Sequence, residues 1–315
     1  MIRTDPAPGE AVPLASNHSG VRGRPVIVGD IGAALPEESR RFAGHAVLNV
    51  IWHLQALGCE PILLSRIGND AVGEQVLRLL EGFGIDTTAI QLDSELPTRC
   101  QDPPGETASA WSSLERGRAV EAIKRCEPSL LFHGVAAADS EHIRGVLNAV
   151  HNRIGMPFAI DLTEAPRAVE TVRHALLGVK WVKIDADQMP ALIDESDLHG
   201  TRSTASDALA IVERFALEGV VAERDGLPIL SAGGTIVARG AGISPDQVRF
   251  LPGGRDAATA ATIMGWLYGW SPKAMIERAT QLAYLAGAMA VAQRVDPDVY
   301  SSVLAHWGIY AGAPT

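Results

Sequence analysis

Short, continuous apolar runs alternate along this chain with longer stretches whose apolar positions recur every three or four residues. Pro25 to Gly29 (Pro-Val-Ile-Val-Gly) predicts a strand buried on both faces, because nothing polar interrupts it before the glycine. Ala46, Val50, Leu54 and Leu57 then fall on one face of a helix that Gly58 ends. Pro61 to Ile67 predicts a second strand, and Gly73 to Phe83 a helix stopped by Gly82 and Gly84. Further on, helices predicted over 118–125, 140–154, 168–177 and 203–218 alternate with strands over 129–133, 158–162, 181–184 and 219–223. Apolar strands separated by helices imply an α/β fold with a mostly parallel sheet covered on both faces. Leu227 to Val237, broken by Gly233-Gly234, predicts a hairpin at a sheet edge. The C-terminal third predicts helices over 257–267 and 273–293.

The rhythm breaks between Thr87 and Arg116, where short polar-interrupted pieces and the turn Asp102-Pro103-Pro104-Gly105 predict a loop or a small edge hairpin. No internal repeat and no linker divides the chain. The expected organisation is a flexible extension over 1–24 and one domain over 25–315, with a small appendage near 87–116.

Composition narrows the function classes. The chain has 315 residues, 47% of them hydrophobic and 20% charged, which suits one large domain with a full core. A formal charge of -10 argues against a nucleic-acid partner, although an anionic nucleotide can still bind locally. Cys59, Cys100 and Cys126 are odd in number and widely spaced, as expected for reduced thiols of a cytoplasmic protein. Met1 to Arg24 has no apolar core and does not read as a signal peptide, and no run is apolar enough to span a bilayer.

The residues that bear chemistry gather at Leu251-Pro252-Gly253-Gly254-Arg255-Asp256-Ala257-Ala258, where a loop enters a helix. Glycines let backbone N–H groups approach an anion, and a helix start adds partial positive charge. A carboxylate there can take a proton from an attacking hydroxyl, as in phosphoryl transfer. A polar loop that merely caps an alanine-rich core helix is the competing reading. Val28-Gly29-Asp30-Ile31-Gly32 is only half a dinucleotide fingerprint, lacking its third glycine. The Trp266, Tyr268, Trp270 cluster reads as packing of a helix end.

Taken in order over roughly residues 25–295, these blocks resemble the ribokinase-like (PfkB) family of sugar and nucleoside kinases. The resemblance is carried by Gly44-His45-Ala46-Val47-Leu48-Asn49 with Leu57-Gly58, and by Gly68-Asn69-Asp70-Ala71-Val72-Gly73 with Gly84-Ile85-Asp86. It is carried further by Pro97-Thr98, by Phe250 to Asp256 in the place of the family signature, and by Ala286 to Val291. It implies a ribokinase-like three-layer α/β/α fold. Because the segment 99–113 is shorter than the family's lid strands, the β lid should be reduced. It also implies an ATP- and Mg2+-dependent kinase acting on a hydroxyl of a small sugar-like or nucleoside-like molecule, with dimerisation through the lid a further implication.

Carried over, Asp256 is the base, and Gly253, Gly254 and Arg255 form the anion hole. Arg255 stands where the family has its second glycine, so it either clamps phosphate or obstructs a turn that needs glycine. Phe250 and Leu251 replace two polar signature residues. Asp30, Gly44, His45 and Asn49 are the acceptor-pocket candidates, Asn49 either bonding a hydroxyl or satisfying nearby backbone. Asp185, opening Asp185-Ala186-Asp187-Gln188, is a magnesium candidate or a helix cap. On the nucleotide side Arg224 and Gly226 stand in a degraded glycine motif, where Arg224 either reaches a phosphate or is solvated. The alternative to a kinase is a catalytically silent relative that binds a ligand or partner protein through the same cleft.

Overall fold

The computed structural model describes residues 23–31, 46–98, 110–134, 137, 140–163, 169–193, 203–225, 227–240, 253–291 and 297–309. Strands β1 (Pro25–Val28), β2 (Ile62–Gly68), β3 (Ile90–Asp93), β4 (Leu130–Gly134), β5 (Phe158–Asp161), β6 (Trp181–Asp185), β7 (Gly219–Arg224), β8 (Leu227–Gly233) and β9 (Ile236–Arg239) form one sheet. Its order is β3-β2-β1-β4-β5-β6-β7-β8-β9. The strands from β1 to β7 pair in parallel, and β8 and β9 add an antiparallel edge hairpin, as the sequence predicts.

Helices cover both faces. On one side lie α3 (Arg116–Arg125), α4 (Glu141–Ile154), α5 (Val169–Ala175) and α6 (Thr204–Arg214). On the other lie α1 (Ala46–Ala56), α2 (Ala71–Gly82), α7 (Gly254–Tyr268), α8 (Pro272–Val291) and α9 (Pro297–His306). Because side chains alternate along a strand, β1 sends Val26 and Val28 into the first core and Ile27 into the second. The chain lays β1, β2 and β3 outward in one direction, then returns to place β4 on the other side of β1. Such a reversal leaves a crevice at the carboxyl ends of the strands, the usual ligand position in an open α/β sheet.

Two expectations change. The stretch after Thr87, expected as a loop or a small edge hairpin, opens with a parallel strand, β3, registered on β2 from Ser65↔Ile90 to Gly68↔Asp93. A parallel partner was open to it because β2 carries its ladder through to Gly68. The predicted turn at 102–105 and most of the lid segment fall outside the described residues. Arg24, expected in the flexible extension, is anchored: its N–H donates to Ser129 Oγ at 2.9 Å, and its guanidinium reaches Cys126 O, Glu60 and Asp86. An arginine directly ahead of β1 finds these acceptors at the strand's entry.

The block that most closely matches the family, Gly68 to Gly73, is an architectural staple. Asp70 caps α2 by accepting from Gly73 N at 2.7 Å, and it also accepts from Thr98 N and Thr98 Oγ1, both at 2.8 Å. These bonds outweigh the burial that opposes charge and hold its carboxyl below the ordinary range. A Cβ on Gly73 would stand 2.1 Å from Gly68 O, and one on Gly68 would stand 2.5 Å from Thr98 N. Both glycines are therefore needed for close approach.

The tryptophans pack as expected. Trp181 stacks on Trp266 at 6.0 Å, and Arg278 lies 4.4 Å from the Trp270 ring and 5.7 Å from that of Trp307. Cys59 and Cys126 are buried and free, burial pushing the Cys59 thiol up to about 12; Cys100 lies outside the described residues.

Candidate active site

The carboxyl ends of β5, β6 and β7 each carry a charged residue on the face that receives α7. Asp161 ends β5 and is registered with Lys183 of β6, while Asp185 of β6 is registered with Glu223 of β7. Alternation puts Asp161, Lys183 and Glu223 on the same face as Ala159, Trp181 and Val221, which belong to the α7 side of the core. Lys183 and Glu223 are both fully excluded from solvent. The Lys183 ammonium lies 2.6 Å from Glu223 Oε2 and 3.2 Å from Asp161 Oδ2. Burial alone would push that ammonium down, but attraction to Asp161 and Glu223 holds it above its ordinary value. It is charged at any physiological pH.

Helix α7 begins over this row. Gly253 precedes it with φ +80°, a left-handed conformation that suits glycine and ends the loop sharply. The first helical hydrogen bond runs from Ala257 N to Gly253 O at 3.1 Å. The N–H groups of Gly254, Arg255 and Asp256 stand ahead of it, the orphan donors of a helix start. Arg255 itself has right-handed helical geometry. The expectation that a side chain there breaks a turn needing glycine is therefore corrected: the positive φ belongs to Gly253, and position 255 accepts any L-residue. Its guanidinium Nε lies 3.1 Å from Glu223 Oε1, with the side chain 45% exposed.

Asp256, in the first turn of α7, accepts a 2.8 Å hydrogen bond at Oδ2 from Asn49 Nδ2 of α1. Its carboxyl is raised to about 6. Burial is the main cause and the Asp161 charge adds to it, while the Asn49 bond, Lys183 and Arg255 pull the other way. A carboxyl poised near neutrality, beside free backbone donors, has the properties of a general base.

The other predicted residues separate. Asp30 directly follows the Gly29 that ends the β1 run, at the same end of the sheet. Asp185 accepts from Asp187 N at 2.8 Å, turning the chain after β6 in place of capping an α-helix. Arg224 forms a 2.9 Å ion pair with Asp187, both side chains substantially exposed, and is not joined to the Asp256 cluster. Gly44, His45 and Gly226 lie outside the described residues, as do 32–45 and 241–252, which adjoin α1 and α7 in the chain. Among the described residues, a cavity of about 340 Å³ between β3 and α3 and another of about 190 Å³ between α4 and α5 lie away from the cluster.

No family model matches the sequence, and no curated protein matches it. Solved structures do. The chain is similar to the PfkB protein from Polaromonas sp. JS666 at 20% identity and a TM-score of 0.62, over 90% of this chain and 100% of that one. It is similar to a ribokinase II from E. coli in complex with ATP and Mg2+ at 13% identity and a TM-score of 0.64, over 90% and 98%. The aminoimidazole riboside kinase from Salmonella enterica aligns at 17% identity and a TM-score of 0.64, over 90% and 99%. The fold is ribokinase-like.

Within this ribokinase-like chain, the residues missed from the sequence are Asp161, Lys183 and Glu223. A signal for them existed: Trp181-Val182-Lys183-Ile184 places a lysine inside a strand predicted to be buried on both faces. Such a charge must be paired. The partners were not legible, because they depend on strand order and register.

Proposed function

We propose that the protein is a divergent PfkB-type kinase that transfers a phosphoryl group from ATP to a hydroxyl of a small sugar-like or nucleoside-like acceptor. The observation that carries this reading is the Asn49–Asp256 pair at the start of α7, with its carboxyl raised to about 6. Above that pH Asp256 is ionised and can take the acceptor's proton as the hydroxyl oxygen bonds to the γ-phosphorus and the bond to ADP breaks. Asn49 holds the carboxylate in place and favours its charged form. The N–H groups of Gly254, Arg255 and Asp256, with the Arg255 guanidinium, would receive the phosphoryl oxygens. Preorganised donors of this kind are worth about 2.7–4 kcal/mol each when removed from an oxyanion hole.

Among the described residues no three His, Cys, Asp or Glu side chains gather into a cation site. Magnesium needs no such cage when a nucleotide brings it, since one or two carboxylates complete its shell with phosphates and water. Asp185 fits that demand, whereas Asp187 is engaged by Arg224. A metal held there would supply neutralisation of phosphate charge. Arg224 and Gly226 are the nucleotide-side candidates, and Asp30, Gly44 and His45 those for the acceptor.

Acceptor-dependent ADP release across a panel of sugars and nucleosides tests the proposal. Turnover should rise with pH along an acid limb near 6. Asp256→Asn should lose about 10²–10⁴ of it, the range for a general base. Absence of acceptor-dependent ADP release over the whole panel would instead mean ligand binding without chemistry.

A further inference from the structure

The anion site contains a carboxylate where simple electrostatics would forbid one. Glu223 is fully buried, yet one of its oxygens meets the Arg255 guanidinium at the first turn of α7. Three features put it there. Regular strand alternation turns it to the α7 face, since β7 stays in unbroken register with β6 from Gly219 to Glu223. Lys183, itself pinned by Asp161, offsets the Glu223 charge at 2.6 Å. Arg255 touches Glu223 through Nε, and its Nη groups have no partner among the described residues.

We infer that Glu223 is a positioning residue for Arg255, and that the buried Asp161–Lys183–Glu223 row anchors the guanidinium for phosphate. The inference rests on the phosphoryl-transfer reading and names the part of the site that grips the nucleotide's phosphates. A half-exposed arginine on a helix start samples many rotamers, and fixing it before the ligand arrives removes that loss from binding. With two carboxylates sharing one ammonium, the row keeps a net negative charge and cannot itself attract phosphate. Its contribution is the direction of Arg255, whose fork keeps two donors for phosphate oxygens while Nε is held.

The sign of one substitution separates positioning from charge. Glu223→Gln removes a negative charge beside an anion site, so electrostatics alone demands tighter nucleotide binding. Positioning demands weaker binding. The measurement is calorimetric titration of the full chain with the β,γ-imido analogue of ATP plus magnesium. Arg255→Gln should weaken affinity about tenfold or more, the scale of a charge-assisted hydrogen bond. Glu223→Gln should weaken it about threefold to tenfold by releasing the guanidinium. The double variant should be no weaker than Arg255→Gln alone, because both act through one group.

Affinity in Glu223→Gln equal to or tighter than wild type, or losses that add in the double variant, would overturn the assignment. Should Glu223→Gln fail to fold, Lys183→Met combined with Glu223→Met replaces the buried pair with apolar volume at unchanged net charge. The same loss is expected there, and full affinity would overturn the assignment equally. Wild-type protein that binds no nucleotide would bring down the phosphoryl-transfer reading together with this one. Wild-type binding that Glu223→Gln leaves unchanged brings down this one alone.

Discussion

Asn49 and His53 stand one turn apart on α1, and each leads into a buried polar cluster of a different kind. Asn49 reaches Asp256 and the charged row of Lys183, Glu223 and Asp161 at the strand ends. His53 shares a 2.6 Å hydrogen bond with Tyr300 of α9, beside Trp52, whose ring meets Tyr300 edge-on at 5.5 Å. Burial pushes the His53 imidazole down to about 3, so it is neutral, and it pushes the Tyr300 hydroxyl up, so that is neutral too. The second cluster is titratable in name only. In the first, the same desolvation is opposed by neighbours that keep Lys183 charged and leave Asp256 near its midpoint at about 6. The chain thus buries polar groups without charge where it needs only packing, and maintains charge at the mouth of the sheet, where the proposed chemistry would need it.

The largest expected effect on stability comes from breaking the charged row on one side. Lys183→Met strands two carboxylates that shared one ammonium, Glu223 among them with no exposure to water. Removing one partner of a buried pair typically costs about 3–5 kcal/mol. Urea unfolding of Lys183→Met should show a loss of that order. A midpoint within experimental error of wild type would mean that the row is not the tightly coupled unit its distances describe.

Asp256→Asn should do the opposite. The folded chain raises this carboxyl from 3.8 to about 6, so between those values it holds a proton that the unfolded chain has released. Stability therefore falls as pH rises through that window, and the whole penalty is present above about 6. The shift corresponds to roughly 3 kcal/mol at most. Asparagine carries no such penalty, so the variant should melt higher than wild type at neutral pH while losing turnover. The gap should close as pH falls toward the ordinary value of 3.8. A neutral-pH melting temperature below wild type would show that Asp256 serves the fold and is not a destabilised functional group.

Much of the architecture was legible because its causes are local. Apolar runs such as Pro-Val-Ile-Val gave buried parallel strands, and Gly233-Gly234 gave the edge hairpin, since each depends on a few adjacent residues. The site was legible only where local chemistry announced it. Gly253 and Asp256 mark a helix start from sequence alone, and both lie where that reading puts them. Arg255 was ambiguous because its meaning depended on which residue of the turn takes positive φ, a backbone fact settled at Gly253. The Gly68–Gly73 block, the best-matched motif, carried the resemblance through architecture, since it serves the α2 cap and the Thr98 contact. Asp161, Lys183 and Glu223 are far apart in the chain and meet only through strand register, information that no single segment contains.

The neutral cluster offers the smallest and most selective perturbation. Tyr300→Phe keeps the ring that packs against Trp52 and removes only the hydroxyl that meets His53 Nδ1. His53 is 6% exposed, so its nitrogen would lose a partner that water cannot easily replace. The cost of one such neutral bond is about 1 kcal/mol, with the imidazole already uncharged and no ionic attraction to lose. Thermal melting should fall slightly, while the pH at which Asp256 ionises should stay near 6, because Tyr300 is not among the groups that set it. A shift of that acid limb in Tyr300→Phe would show that α1 transmits strain from His53 to Asn49 across one helical turn, and the two clusters would then have to be read as a single device.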